Sequence, residues 1–328
     1  MTATPRKPAE PASARLIVHL TRIFLGLARC RTLELVVALY RTSNERGKHI
    51  ATMNHQSTSA TVSIGTLNIA AAAKPRAERI FNDWIIPSEV DVHVFTETSE
   101  GPGTTFLVSE FLAAGWSVHQ RVLAAGDRGV LIASRIACKE SPHPLEDPAP
   151  GRTVVIELET VPRICIVGMY VPNRGNDPSK TKRKREFLDM WIRYLADRLP
   201  AGCMPVVIGD LNVVPPSQKP RFLPQEEFEY RWYKQLENNI GLYDGAVGHS
   251  QRGHESTWVA NTGEGYTYDH IFPARTLRER VVGFQYDHST RRPSGISDHS
   301  ALQLTLKIDA IRLETKRLGL PVQGALFG

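Results

Sequence analysis

Cysteine is scarce in this chain of 328 residues: Cys30, Cys138, Cys165 and Cys203 are all there is, and no two are spaced as CxxC. That argues against a disulfide framework and against a zinc site, and it fits a reducing compartment. Long apolar runs are missing too. The stretch from Leu16 to Tyr40 is apolar, but Arg22, Arg29, Arg31 and Glu34 interrupt it. No segment reaches the roughly 18–20 residues that a membrane-spanning helix needs. A secretory signal would want a shorter lead and an uncharged apolar stretch of about 7–15 residues. These absences point to a cytoplasmic protein with no transmembrane segment, and there is no internal repeat to suggest a solenoid.

An excess of one charge is also absent from most of the chain. The net charge is +6, but residues 1–50 hold nine Lys and Arg against three Glu, which accounts for the whole excess. The rest carries 31 residues of each sign, so overall basicity says little about what the body binds. Residues 1–15, rich in Pro, Ala, Thr and Arg, read as disordered. Leu16, Leu20, Ile23, Phe24 and Leu27 fall at helical spacing and suggest a basic amphipathic helix. Residues 1–58 are therefore expected to be a dispensable N-terminal extension, with Met53 a natural start. Residues 59–310 would form the main domain and 311–328 a C-terminal tail.

What is present begins near residue 61. Short β-like runs cover Val62–Ile69, Val92–Phe95, Gly129–Ser134, Thr153–Leu158, Ile164–Val171, Val206–Ile208, Tyr268–Phe272, Val281–Tyr286 and Ala301–Ile308. Residues 75–86, 104–114, 180–199 and 224–240 read as helices. Only Glu159–Arg163, with its Val161-Pro162 turn signal, separates the fourth run from the fifth, which leaves no room for a crossover helix. The expectation is an α/β protein of two mixed sheets packed face to face, with helices outside.

Polar residues gather at the ends of these runs, where β scaffolds mount active-site groups. They occur in Thr66-Leu67-Asn68, Thr96-Glu97-Thr98, Tyr170-Val171-Pro172-Asn173, Gly209-Asp210-Leu211-Asn212, Tyr268-Asp269-His270 and Ser297-Asp298-His299. A lone Asp after a strand is ordinarily a turn or cap residue. Six such segments in one order, at domain-scale spacing, are not.

In these segments the chain resembles the endonuclease/exonuclease/phosphatase superfamily, from about residue 61 to 308, with Gly-Asp-Leu-Asn and Ser-Asp-His the most specific pieces. The resemblance implies a four-layer α/β/β/α sandwich with the site between the tops of its two sheets. It also implies Mg²⁺ or Mn²⁺ held by Glu97, helped by Asn68 and Asp298. Oxygen ligands of this kind suit a hard cation. By the same resemblance, Asp210 would deprotonate the attacking water, and Asn212 would hold that water or the phosphate. His299, backed by Asp269, would donate to a phosphate oxygen, and Tyr170 would contact the phosphate or assist the leaving oxygen. The attack would be in line.

Tyr170 in Tyr-Val-Pro-Asn leans toward the exonuclease III and AP endonuclease branch, and with it toward nucleic acid as substrate. Asn173 and Trp258 are candidate substrate contacts, Trp258 as a wall for a sugar or base. Lys182, Arg183 and Lys184 belong to the body's basic run and are candidate backbone-phosphate contacts. Thr98-Ser99 after Glu97, Ile69-Ala70-Ala71 after Asn68 and Tyr266-Thr267-Tyr268 before Asp269 depart from the AP-endonuclease pattern and put abasic-site specificity in doubt. A phosphatase or phosphodiesterase for a small-molecule or lipid phosphoester stays open as the alternative. No stable protein partner is implied, and a monomer is expected.

Overall fold

Alternation of side chains along a strand, one to each face, divides the core of this protein between the two faces of each sheet. The computed structural model describes residues 61–319 apart from 145–146, 176, 220–224, 251 and 292–294. The expectations for residues 1–58 lie outside the described residues. All nine β-like runs are strands, with ends that differ by up to three residues from those the sequence indicates.

Strands β1 (Thr61–Asn68), β2 (Val92–Thr98), β3 (Ser117–Gln120), β4 (Gly129–Ser134), β13 (Val281–Asp287) and β14 (Ala301–Lys307) form a six-stranded sheet in the order β13-β14-β1-β2-β4-β3. Strands β5 (Cys138–Glu140), β6 (Thr153–Leu158), β8 (Ile164–Tyr170), β9 (Met204–Asp210) and β12 (Asp269–Pro273) form a five-stranded sheet in the order β12-β9-β8-β6-β5. Each sheet is mixed. Strands β1 and β2 pair in parallel, as do β8 and β9, and the other pairs are antiparallel. Two small ladders complete the set: β7 (Thr160–Val161) with β15 (Asp309–Ala310), and β10 (Trp258–Val259) with β11 (Gly265–Tyr266).

On β2, Val92 and Val94 enter the compartment between the sheets, while Phe95 enters the one behind the six-stranded sheet. The second compartment is closed by α1 (Lys74–Ile80) and α2 (Pro102–Ala113), through Ala77, Ile80, Leu107 and Phe111. On the other side α3 (Pro178–Asp197) and α4 (Glu227–Asn238) lay Phe187, Trp191, Trp232 and Leu236 on the five-stranded sheet. The four layers are thus helix, sheet, sheet, helix. Full burial of each such aliphatic or aromatic side chain contributes about 1.5–3 kcal/mol before chain entropy is charged.

Local chemistry fixes where the outer helices begin. Helix α3 starts at Pro178, which needs no amide partner there, and the Asp177 carboxylate accepts from Ser179 N at 2.8 Å. In α4 Glu226 and Glu229 form a reciprocal capping box. The expected helix over 75–86 is α1 continued through a π-helical turn, Phe81–Ile85, and a last turn, Ile86–Ser88.

Two features differ from the sequence reading. Cys165 and Cys203 form a disulfide, with Cα atoms 5.8 Å apart. The parallel register of β8 with β9, which sets Ile164 against Met204, brings them together across 38 residues. Scarcity of cysteine therefore no longer supports a reducing compartment. Residues 311–316, expected in the tail, are tied to the body: Ile311 N donates to Glu159 O, Leu313 N to Arg135 O and Lys316 N to Ala114 O. Among the described residues no helix is long and apolar enough to cross a membrane.

Candidate active site

Register alone brings three of the expected residues side by side. Parallel pairing of β8 with β9 sets Tyr170 against Asp210, and antiparallel pairing of β9 with β12 sets Asp269 against the same Asp210. In the other sheet Asn68 ends β1, and Glu97 sits in a bulge near the end of β2, between Thr96 and Thr98. His299 lies just ahead of β14, which runs antiparallel to β1. All these ends fall at the same edge of the sandwich.

The backbone there is unusual in the places where function needs it. Glu97 and Asn212 have φ of 53° and 49°, left-handed values that cost a non-glycine residue about 1–2 kcal/mol. Gly209, at φ 136°, has a different reason. A Cβ on it would lie 2.2 Å from Met169 O, so the Gly of Gly-Asp-Leu-Asn is required by close approach to β8.

Hydrogen bonds then join the two sheets. Asn68 Nδ2 donates to Glu97 Oε1 and to Asp210 Oδ2, both at 3.0 Å, and Asn68 Oδ1 accepts from Ala70 N at 2.8 Å. Asp210 Oδ1 accepts from Asn212 N at 2.9 Å, while Asn212 Nδ2 donates to Val171 O at 3.0 Å. His299 Nδ1 donates to Asp269 Oδ2 at 2.7 Å. Asn68, Asp210, Asp269, His299 and Tyr170 are all buried.

Burial and crowding set the electrostatics. Burial, then Asp269 and Glu97, push the Asp210 carboxyl up to about 7, against the pull of His299. Burial alone would lower His299, but Asp269, Asp210 and Asp298 together hold it up at about 10, so its ring is an imidazolium at neutral pH. Burial, with Glu97 and Asp210, raises the Tyr170 phenol and keeps it neutral. Arg152 lies 4.4 Å from the centre of the Tyr170 ring and opposes that shift.

A divalent cation has donors to meet here. Asp210, Asp269 and His299 each place one ligand atom within 4.8 Å of the others. A protonated His299 is a poor ligand, however, and its proton is held by Asp269. The carboxylate of Glu97 and the amide of Asn68 form a second donor group beside them. Asp298 Oδ1 and Asp269 Oδ1 are buried without a hydrogen-bond partner among the described residues, which is how an oxygen awaiting a cation would look. This oxygen-rich set fits a hard ion.

The expected substrate contacts divide. Trp258 forms a backbone bridge to His299 and stacks on Tyr266, with ring centres 6.3 Å apart, while Tyr268 lies 6.0 Å away. This partly exposed aromatic ledge stands against the site. Asn173 is exposed and accepts from Gly175 N. The basic run is not a free phosphate-binding strip. Lys184 is 2% exposed, donating from Nζ to Asn212 O at 2.7 Å and to Glu229. It supports the Asn212 loop from beneath and is not a backbone-phosphate contact. Arg183 is paired with Asp127 Oδ2, at 2.8 Å, and Pro148 O but stays partly exposed, and of the three only Lys182 stands fully in solvent.

Two residues that sequence reasoning passed over complete the site. Thr257 Oγ1 accepts from Tyr268 N and Asp269 N, and Ser297 Oγ donates to Asn68 O while accepting from His299 N. Their only signal in the sequence is position: Thr257 precedes Trp258, and Ser297 opens Ser-Asp-His.

Residues 65–299 match the model of the Endonuclease/Exonuclease/phosphatase family. No curated protein sequence is similar enough to count as a relative. Among solved structures, an AP endonuclease from Archaeoglobus fulgidus is similar at a TM-score of 0.64 and 22% identity, covering 75% of this chain and 99% of its own. The Xenopus laevis APE2 catalytic domain is similar at 0.63 and 16%, covering 80% and 98%. A 3′ phosphatase from Neisseria, solved with a product DNA hairpin, is similar at 0.62 and 19%, covering 74% and 98%. At these identities the likeness is one of fold.

Proposed function

The chain belongs to the Endonuclease/Exonuclease/phosphatase family, and from that premise we propose that it is a divalent-metal-dependent nuclease that cleaves DNA or RNA phosphodiesters by in-line attack of water. The observation that carries this reading is the polar cluster at the sandwich edge. Asn68, Glu97, Asp210, Asp269 and His299 come from five segments spread over more than 200 residues and meet side by side: Asn68 bonds Glu97 and Asp210, His299 bonds Asp269, and Asp210, Asp269 and His299 bring ligand atoms within 4.8 Å of one another.

Each residue has a part its environment suits. Asp210, raised toward neutrality, takes the proton of the attacking water, since a base works best when its pKa lies near the working pH. Asn68 and Asn212 fix its two oxygens. His299, with Nδ1 engaged by Asp269, donates from Nε2 to a non-bridging phosphate oxygen and balances charge that grows there. Tyr170, kept neutral, donates to the phosphate or to the departing oxygen. Glu97, with Asn68 and Asp298, would hold Mg²⁺ or Mn²⁺, which when bound neutralises phosphoryl charge.

Two features bear on the substrate. The ledge of Trp258, Tyr266 and Tyr268 offers π-faces of the kind on which bases stack. Against this, Arg183 and Lys184 are committed internally, and the body is neutral, which favours the alternative of a small-molecule or lipid phosphoester. The test is hydrolysis by the purified chain, in Mg²⁺ and in EDTA, of abasic duplex DNA, single-stranded DNA, RNA, and inositol or sphingolipid phosphoesters. Mg²⁺-dependent cleavage of a nucleic acid is expected. Turnover confined to the small or lipid substrates would select the alternative, and full activity in EDTA would remove the metal from the reading.

A further inference from the structure

At the sandwich edge formed by β3 and β5, a second chemical cluster stands apart from the site. Cys138 opens β5 and pairs with Leu158, at the end of β6 remote from Tyr170. It is not in the disulfide and is half-buried. Its Sγ lies 3.4 Å from His119 Nε2 on β3 and 3.2 Å from Ser117 Oγ. His119 Nδ1 faces Glu140 Oε2 at 3.9 Å, so a thiol, an imidazole and a carboxylate follow one another in line. Beyond Glu140 stand His143, with Nδ1 3.9 Å from Oε1, and Arg121. His143 Nε2 is committed to Thr153 O at 3.2 Å, leaving His119 as the thiol's only ring partner among the described residues.

This is the arrangement by which a thiol is activated: a base within reach of the sulfur, and an acid that orients the base and stabilises its cation. Burial would lower His119, but Cys138 and Glu140 outweigh it and hold the ring protonated, as a thiolate–imidazolium pair requires. A half-buried sulfur is within reach of a small electrophile.

We propose that Cys138 is a modification site for hydroperoxides, activated by His119 and Glu140 and separate from the phosphoester centre. The pair shares one proton, held on His119, and the thiolate attacks one peroxide oxygen. An S–O bond forms as the O–O bond breaks, and the departing oxygen takes the proton from His119. Sulfur is oxidised by two electrons to the sulfenic acid, and the hydroperoxide is reduced to an alcohol, or to water for hydrogen peroxide.

The whole chain is treated with hydrogen peroxide and a 1,3-diketone that traps sulfenic acid. Mass spectrometry then quantifies the Cys138 peptide apart from that of Cys30, with glutathione run in parallel. At pH 7 Cys138 should react at least about tenfold faster than glutathione, an ordinary thiol of high pKa. Between pH 8 and 6 its rate should change little, whereas an ordinary thiol's falls about tenfold per unit. His119→Gln should bring the rate down to that of glutathione, and Glu140→Gln should lower it part of the way. A wild-type rate no faster than glutathione's, a tenfold-per-unit fall below pH 8, or wild-type reactivity in a folded His119→Gln variant each overturns the proposal. The wild-type measurements decide the matter even if a variant does not fold.

Discussion

Asp210 and Asp91 are both 2% exposed, one at the reactive edge of the sandwich and the other at the opposite edge, and their surroundings are opposites. Asp91 is clasped by Arg135 and Arg312 and accepts from Ser63 N at 2.8 Å. Burial works to raise its carboxyl, but those partners together hold it below the ordinary carboxylate range. Asp210 has Asp269 and Glu97 near it and only amide donors on its oxygens. A paired buried carboxylate supports the fold, whereas one crowded by like charge is kept reactive at the fold's expense.

Four experiments can break or sharpen this contrast. The largest effect is expected for Asp210→Asn, which should cut turnover by roughly 10²–10⁴ while leaving the melting temperature unchanged or higher. A melting temperature lowered as by loss of Asp91 would make the two carboxylates equivalent after all. Next is Glu97→Gln. At low Mg²⁺ it should cost kcat/KM at least the roughly 10–100-fold that follows loss of a metal's outer partner, and raised Mg²⁺ should restore part of it. Titration of activity against Mg²⁺ reads both.

Asp91→Ala should do the reverse. It should lower unfolding free energy by about 1–3 kcal/mol, below the roughly 3–5 kcal/mol for breaking a fully buried pair, because both arginines are about a third exposed. Turnover of the folded fraction at 25 °C should not change, and denaturant melts alongside kinetics would show whether it does. The fourth effect is in the pH dependence of stability, measured in EDTA. The folded value of Asp210, about 7, lies above its unfolded value of about 3.9. Between these the native state keeps a proton that the unfolded chain has released, so this residue removes stability as pH rises toward 7. Asp91, lowered in the fold, contributes stability above about pH 3.9 that is lost as pH falls through its folded value. Wild type should therefore lose stability relative to Asp210→Asn between pH 5 and 8. Parallel curves would remove the premise that Asp210 is crowded.

The sequence carried the strands and the reactive edge because both leave local marks. Alternating Val and Ile announce β1, β2 and β8, and Gly-Asp-Leu-Asn combines a glycine needed for close approach with two polar groups. Strands β3 and β5 were missed: one is half-exposed on both faces and the other is three residues long. Lys184 looks like a phosphate contact by its basic neighbours alone, but it falls at helical spacing with Phe187, Leu188 and Trp191, all buried on one face of α3. The register that brings Cys165 to Cys203 and Asp269 to Asp210 is long-range and leaves no trace in neighbouring residues.

Strand β1 lies between β2 and β14, and β14 begins at Ala301. A chain emerging from the ribosome therefore makes one of the inner strands of its six-stranded sheet first and its partner more than 200 residues later. Until then β1 offers an unpaired edge that any other extended chain can take. Closing so distant a pairing is entropically slow, so completion of this sheet waits until Ala301–Lys307 has been made. Nascent chains halted before Ala301 should be clients of chaperones rather than partly active enzymes.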